Sequence, residues 1–354
     1  MSMKKILLLG LEKNTNLGDG VIADCTRYLT EKITKECGIV CQIDSLDMME
    51  DAYDSIPDYD VLIFVGGGII KYKYQEFYEY IDKITEIADA HNIPVLFNAV
   101  GVEGYDASNP KCMQLKKAIN RSCVKSITVR DDYDTLRDCY MENPAIVTKK
   151  VADPAVWTGT VFRKSKKDSD VIGLGVIREG IFESNGIDIE REKIFALWSG
   201  IITQLEKEGK KWKIFTNGWS SDMKFARNLM KYMGREEEID KMVIKVPEKN
   251  EELVETISNF QGVIAGRLHA NIISYSLGIP SVGIVWNDKC RLWGETIGYP
   301  ERFFATDAFD AEKIVKQCLQ AIAQGYEKTD RDAFANTVYV SLKEALVKAL
   351  TAAD

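Results

Sequence analysis

The stretch GVIAGRLHANIISYSLGIPSVGIVWNDK (Gly262–Lys289) decides the fold. Gly262–Gly266 is a short apolar run closed by glycine, the length and flanks of a buried parallel strand. A helix follows over Leu268–Leu277, apolar at Ile272, Ile273, Tyr275 and Leu277, and Gly278 stops it. Pro280 opens a second strand that runs to Trp286 and ends in Asn287-Asp288-Lys289. Strand, helix and strand in this order predict a parallel βαβ unit. In such a unit Arg267, His269 and Lys289 come directly after strands, near a helix N-terminus. They form a compact cationic site suited to a phosphate or carboxylate. The chain has two histidines. His91 precedes Asn92-Ile93-Pro94 and reads as a helix end, so His269 is the candidate for moving a proton near neutral pH. A lone histidine is usually structural, but Arg267 two residues away at a strand end favours function.

The same rhythm extends outward in both directions. Upstream, Lys5–Gly10, Ile39–Asp44, Asp60–Val65, Pro94–Gly101 and Ser126–Asp131 read as strands, with helices over Asp19–Lys35, Phe77–Ala90, Met113–Ser122 and Asp132–Tyr140. Arg163–Asp170 (RKSKKDSD) is charged and without apolar residues, and reads as a linker. The pattern restarts with strands at Val171–Ile177 and Trp212–Gly218, and a short one at Val243–Val246. Helices are read over Glu190–Glu208, Asp222–Met233 and Glu251–Phe260. The expected fold class is α/β: two Rossmann-like, doubly wound domains facing across a cleft. The N-terminal domain, expected to form the acceptor side, spans 1–162, the linker 163–170, the C-terminal domain, expected to form the donor anion side, 171–325, and a helical tail 326–354.

Composition bounds the function. The chain has 354 residues, 45% hydrophobic and 28% charged, with a formal net charge of −8. A core of ordinary size is therefore expected, and the acidic balance speaks against a general nucleic-acid binder. The eight cysteines contain no CxxC pair, and the histidines lie far apart, so no zinc site is expected; no metal ligand is assigned, although scattered Asp residues are compatible with a loosely held Mg²⁺. Free thiols in a chain of this size suit a reducing cytoplasm. The apolar run Ile6–Leu9 is too short for a signal peptide, and no run approaches the ~20 residues of a membrane span. The expected location is cytoplasmic, with peripheral work at the inner membrane face compatible.

Other candidates also follow strands. Asn14-Thr15-Asn16-Leu17-Gly18-Asp19-Gly20 comes after the first; its plain reading is a turn with Asp19 as helix cap, its functional one a ligand loop offering Asn and Asp side chains, Asn16 and Asp19 among them. It matches neither a dinucleotide nor a P-loop pattern. Gly66-Gly67-Gly68 exposes backbone N–H groups, Gly67 and Gly68 being the positions that an anion or sugar would approach. Arg130-Asp131 and Arg178 each close a strand. Asp153-Pro154 reads as a hinge turn. The aromatics Tyr72, Tyr74, Phe77, Tyr78 and Tyr80 read mainly as helix packing.

In series these landmarks resemble the polysaccharide pyruvyl transferase family. The matching segments are Asn16–Ile22 (NLGDGVI), Asp60–Gly68 (DVLIFVGGG), Val129–Asp131 (VRD), Ala152–Ala155 (ADPA) and Ala265–Val282, with Lys289 beyond. The most specific is Arg267-Leu268-His269. Where the family pattern leads one to expect Gly-Pro, this chain has Gly101-Val102-Glu103-Gly104. The resemblance implies a GT-B-like fold and transfer of a pyruvyl group from phosphoenolpyruvate to a sugar, making a ketal and releasing phosphate. Phosphoenolpyruvate would be donor substrate, with no cofactor. Arg130, Arg267, Lys289 and Arg178 would bind anionic groups, His269 would act as general acid, and Asp19 as base or, with Asn16, as holder of the acceptor. The acceptor would be a sugar or oligosaccharide, free or lipid-linked, and an oligomer is compatible. Two rivals share these features: a nucleotide-sugar glycosyltransferase, for which Glu295 would grip a ribose, and a non-catalytic sugar- or anion-binding protein.

Overall fold

All strand pairings among the described residues are parallel. The computed structural model describes residues 3–11, 16–50, 52–73 and 77–351. The chain divides into two units, Met1–Asn14 with Asp19–Pro154 and Asp332–Asp354, and Thr15–Gly18 with Ala155–Arg331.

The first unit holds strands β1 (Lys4–Gly10), β2 (Cys41–Asp47), β3 (Val61–Phe64), β4 (Gly67–Ile70), β5 (Val95–Val102), β6 (Val124–Val129) and β7 (Val147–Lys150). The sheet order is β2-β1-β3-β5-β6-β7, with β4 paired to β5. Helices α1 (Leu17–Glu36), α2 (Phe77–Ala90) and α3 (Pro110–Ile119) connect them. Residues 61–64 and 95–102 are buried throughout, as strands covered on both faces must be. The N-terminus of α3 is fixed locally: Asn109 Oδ1 accepts the Lys111 N–H at 3.0 Å and Pro110 takes the first helical position. Strand order reverses between β1 and β3, which is where a doubly wound sheet opens to a ligand.

The second unit repeats the plan with β8 (Val171–Gly175), β9 (Lys211–Phe215), β10 (Gly262–Ala265), β11 (Ser281–Ile284) and β12 (Phe303–Phe304) in the order β12-β11-β10-β8-β9. Its longer helices are α4 (Arg191–Lys207), α5 (Ser220–Tyr232), α6 (Asn250–Ser258), α7 (Leu268–Leu277), α8 (Asp288–Thr296) and α9 (Ala311–Gln324). Ile172, Leu174, Ile214, Ile264, Val282 and Ile284 from its strands pack with Trp198, Ile201 and Phe225 from its helices into one core. Here the order reverses between β8 and β10, so Arg178 and Arg267 follow the two strands that flank the switch point. Two Rossmann-like domains are thus present.

Several boundaries differ from expectation. Residues 163–170 are not a free linker; the units divide at Pro154/Ala155 instead. The Lys167 N–H donates to the Ser258 carbonyl at 2.9 Å, and Lys164 and Lys167 both pair with Glu255 of α6. Three of the charges that suggested a solvated linker, Lys164, Lys167 and Asp170, are met by protein counter-charges. The second unit also ends at Arg331 rather than 325. The rest of the C-terminal helix (Lys328–Thr351) belongs to the first unit. Its buried face includes Val338, Leu342 and Leu346, and Thr337 Oγ1 accepts the Ala152 N–H at 2.9 Å. Val243 makes only an isolated bridge to Ile214, so the expected strand at 243–246 is absent. No helix among the described residues is long and apolar enough to cross a membrane.

Candidate active site

In the second unit the expected residues gather at the carboxyl ends of the strands. β10 ends at Ala265, and the Gly266 N–H donates to the Gly175 carbonyl of β8 at 2.9 Å. Arg267 then caps α7, with backbone still extended at φ −79°, ψ 130°. Its guanidinium meets Asp222 at two points, Nε to Oδ2 at 2.7 Å and Nη2 to Oδ1 at 3.0 Å. Asp222 lies in the first turn of α5 and is fully buried. The same Oδ1 accepts the Arg178 backbone N–H at 3.0 Å. One buried carboxylate therefore ties together both residues of the switch point. Two-point contact fixes the plane of the arginine fork and leaves its remaining N–H groups outside this pair. The Trp219 ring lies 5.3 Å from the guanidinium carbon and steadies it further.

His269 is 6% exposed and lies one helical residue past Leu268. Gly18 is set against its ring: a Cβ built on Gly18 would fall 2.3 Å from His269 Nδ1. The Leu17 N–H donates to the Asn217 carbonyl at 3.2 Å. Asn16 Oδ1 accepts the Gly18 N–H at 3.4 Å, so Asn16 shapes this turn. Lys289 sits in the first turn of α8, which Asn287 caps through the Cys290 N–H at 3.2 Å. Both Lys289 and Arg267 act electrostatically on the neighbouring Cys290. Burial dominates at that thiol and pushes its pKa up to about 12, so Cys290 is a packing residue and no thiolate nucleophile.

The first unit brings Asp19, Gly67, Gly101, Arg130, Asp131 and Asp153 together. Arg130 is 7% exposed, forms an ion pair with Asp153 and lies 3.9 Å from Asp131 Oδ2. Burial works against its charge, yet Asp153, Asp131 and Asp19 outweigh this and hold its pKa above the usual value. Arg130 is thus the cation of an acidic cluster, its charge matched by carboxylates of its own unit. Asp153 is its buried partner rather than a mere hinge turn. The glycine run also reads differently. Gly66 has φ +129°, and a Cβ there would come 2.7 Å from Ile22 Cγ2, so glycine is needed for backbone and packing alike. Gly67 and Gly68 begin β4 instead of forming an open loop, with Gly67 opposite Val100. A Cβ on Gly67 would reach 4.0 Å from Asp19 Oδ1, so Asp19 faces this strand start.

Asp222 and Asn217 are missing from the sequence-derived set. Asn217 and Trp219 follow β9, which ends at Phe215; the expected strand runs on to Gly218 and hides Asn217 inside it. A cavity of about 630 Å³ in the first unit, lined by Pro94, Lys125, Val147, Lys149 and Glu344, lies at the opening residues of β5, β6 and β7, away from these carboxyl strand ends. Glu295 pairs with Arg291 at 2.7 Å on an exposed helix face, which leaves no support for its role as a ribose clamp.

The fold is that of the GT-B class. The UDP-GlcNAc 2-epimerase from Methanocaldococcus jannaschii superposes with a TM-score of 0.62 at 14% identity, covering 99% of each chain. The enzyme of that name from Rickettsia bellii gives 0.54 at 11% identity over 99% of this chain and 98% of that one. The one from Neisseria meningitidis, bound to UDP-GlcNAc, gives 0.52 at 11% over 99% and 100%. These likenesses concern the fold. No curated protein matches the chain. The polysaccharide pyruvyl transferase model matches residues 16–288, and the chain belongs to that family.

Proposed function

We propose that the protein transfers a pyruvyl group from phosphoenolpyruvate to two hydroxyls of a sugar in a polysaccharide or its precursor. The observation that supports this most is that Arg267 and His269 both follow β10 at the switch point of the second unit, with Arg267 oriented by the buried Asp222. Phosphoenolpyruvate carries a phosphate and a carboxylate. The free edge of Arg267 and the ammonium of Lys289 would meet these groups. His269 would donate a proton to the C3 methylene. One sugar hydroxyl adds to C2, and a second then displaces phosphate. Two C2–O bonds to sugar form, the C2–O bond to phosphate breaks, and of the two hydroxyl protons one is balanced at C3 and the other leaves with phosphate. The role of His269 is proton transfer, worth about 10²–10⁴ in rate for a placed acid.

Calorimetric titration with phosphoenolpyruvate tests the donor assignment without knowledge of the acceptor. Wild type should bind it, and Arg267→Ala should abolish binding while circular dichroism shows the fold retained. His269→Ala should still bind but release no phosphate in the presence of acceptor. Unchanged affinity in Arg267→Ala, or full turnover in folded His269→Ala, would overturn the assignment.

A further inference from the structure

We infer that the turn after β9, Thr216-Asn217-Gly218-Trp219, reads a hydroxyl-bearing ligand through the Asn217 carboxamide, and that this ligand is the sugar acceptor. Naming it the acceptor rests on the pyruvyl-transfer reading; the chemistry of the ligand comes from the turn.

Asn217 is 1% exposed, and neither Oδ1 nor Nδ2 has a hydrogen-bond partner. The Thr216 hydroxyl and the Trp219 indole N–H are likewise buried without partners. Four unmatched polar atoms within four residues are costly, since each buried unmade bond destabilises the free protein. The turn is held in place firmly. Gly218 has φ +104°, which favours glycine, the Asn217 carbonyl accepts Leu17 N–H, and Trp219 packs on Arg267. Leu17 adjoins Gly18, which lies against His269. The unmatched amide therefore belongs to the same set of residues as the proposed donor site.

The atom types select the ligand. Ionised phosphoenolpyruvate offers acceptors only, so it can engage Nδ2 and the indole N–H but not Oδ1. Whichever way the amide is turned, one of its two atoms is an acceptor that needs a donor. A sugar hydroxyl both donates and accepts, and two adjacent hydroxyls complement a carboxamide completely. An uncharged amide also costs nothing beside the cations that the donor requires.

The test uses full-length Asn217→Leu, with Asn217→Ala as the second variant if leucine prevents folding. Replacing an unmatched buried amide by an apolar group of like shape should raise the melting temperature of the ligand-free protein by about 2–4 °C. A fall would mean that the amide is satisfied in solution by a bound water or a protein group, and would overturn the inference. Binding is followed by saturation-transfer NMR with the methyl glycosides of glucose, galactose, mannose and N-acetylglucosamine, once with phosphoenolpyruvate and once with inorganic phosphate. Wild type should bind at least one. The variant should lose about tenfold or more of that affinity while keeping phosphoenolpyruvate affinity within about twofold. No glycoside bound by wild type, equal binding by the variant, or an Asn217-dependent site for UDP alone would each overturn it. Absence of phosphoenolpyruvate binding by wild type would sink the donor reading, while the phosphate arm still tests Asn217.

Discussion

Asp222 and Arg267 form a two-point ion pair in which the carboxylate is fully buried and also accepts the Arg178 N–H. Removing either charge alone strands the other, at a cost of about 3–5 kcal/mol. Asp222→Leu and Arg267→Met should each lower stability by this order, and the double variant should recover most of the loss. Phosphoenolpyruvate binding should be absent in all three. Urea unfolding of the set checks the coupling. Additive losses in the double variant would show that the pair is not an energetic unit.

Gly18 fits against His269 only because it lacks a side chain. Gly18→Ala should displace the imidazole, with a stability cost of about 1–3 kcal/mol for overpacking. Turnover should fall about as far as in His269→Ala. In a His269→Ala background the same alanine should be nearly neutral, because the ring it strikes is gone. A Gly18→Ala enzyme with full turnover would show that the turn can yield without moving the histidine.

Strands β1–β3, β5, β6 and β8–β11 were legible as short, mostly apolar runs, and Arg267-Leu268-His269 stood out because it follows one of them; the polar, largely exposed β7 (Val147–Lys150) carries no such signal. What escaped was tertiary. Asp222 looks like an ordinary acid in the first turn of an amphipathic helix, and only the fold sets it beside an arginine 45 positions later. Residues 163–170 looked like a solvated linker because their counter-charge, Glu255, is 88 residues from Lys167. The glycine run suggested an anion loop, whereas Gly66 is imposed by its φ and by Ile22, and the next two glycines start a strand. Phe303–Phe304 is too short to show any periodicity.

Arg130 is matched by two carboxylates, so its loss should act on stability before binding. Its partners Asp153 and Asp131 are both buried. Arg130→Met should therefore cost about 3–5 kcal/mol of stability by leaving these carboxylates uncompensated. Its effect on phosphoenolpyruvate affinity, measured on the folded fraction by calorimetry, should stay within about twofold, under 0.5 kcal/mol. A large loss of affinity with unchanged stability would make Arg130 a ligand after all.

Two ion-pair groups should give the fold an acid-sensitive share of its stability. Hydrogen bonds from Lys164 and Lys167 hold Glu255 down to about 2, and those from Lys32, Tyr339 and Lys343 hold Glu36 down to about 2, from an ordinary 4.5. A folded pKa below the unfolded one means stability that is fully present above about pH 4.5 and lost as pH falls towards 2. Glu255 joins residues 164–167 to α6, and Glu36 joins the C-terminal helix to α1. Both carboxylates are substantially exposed, so solvent and salt screen each contribution and keep it small. The double variant Glu36→Gln/Glu255→Gln should unfold at lower urea than wild type at pH 7. The two midpoints should converge as pH falls below 4.5, and added salt should narrow the gap at neutral pH. A gap independent of pH would mean that the glutamines disturb packing, and that the charges contribute nothing.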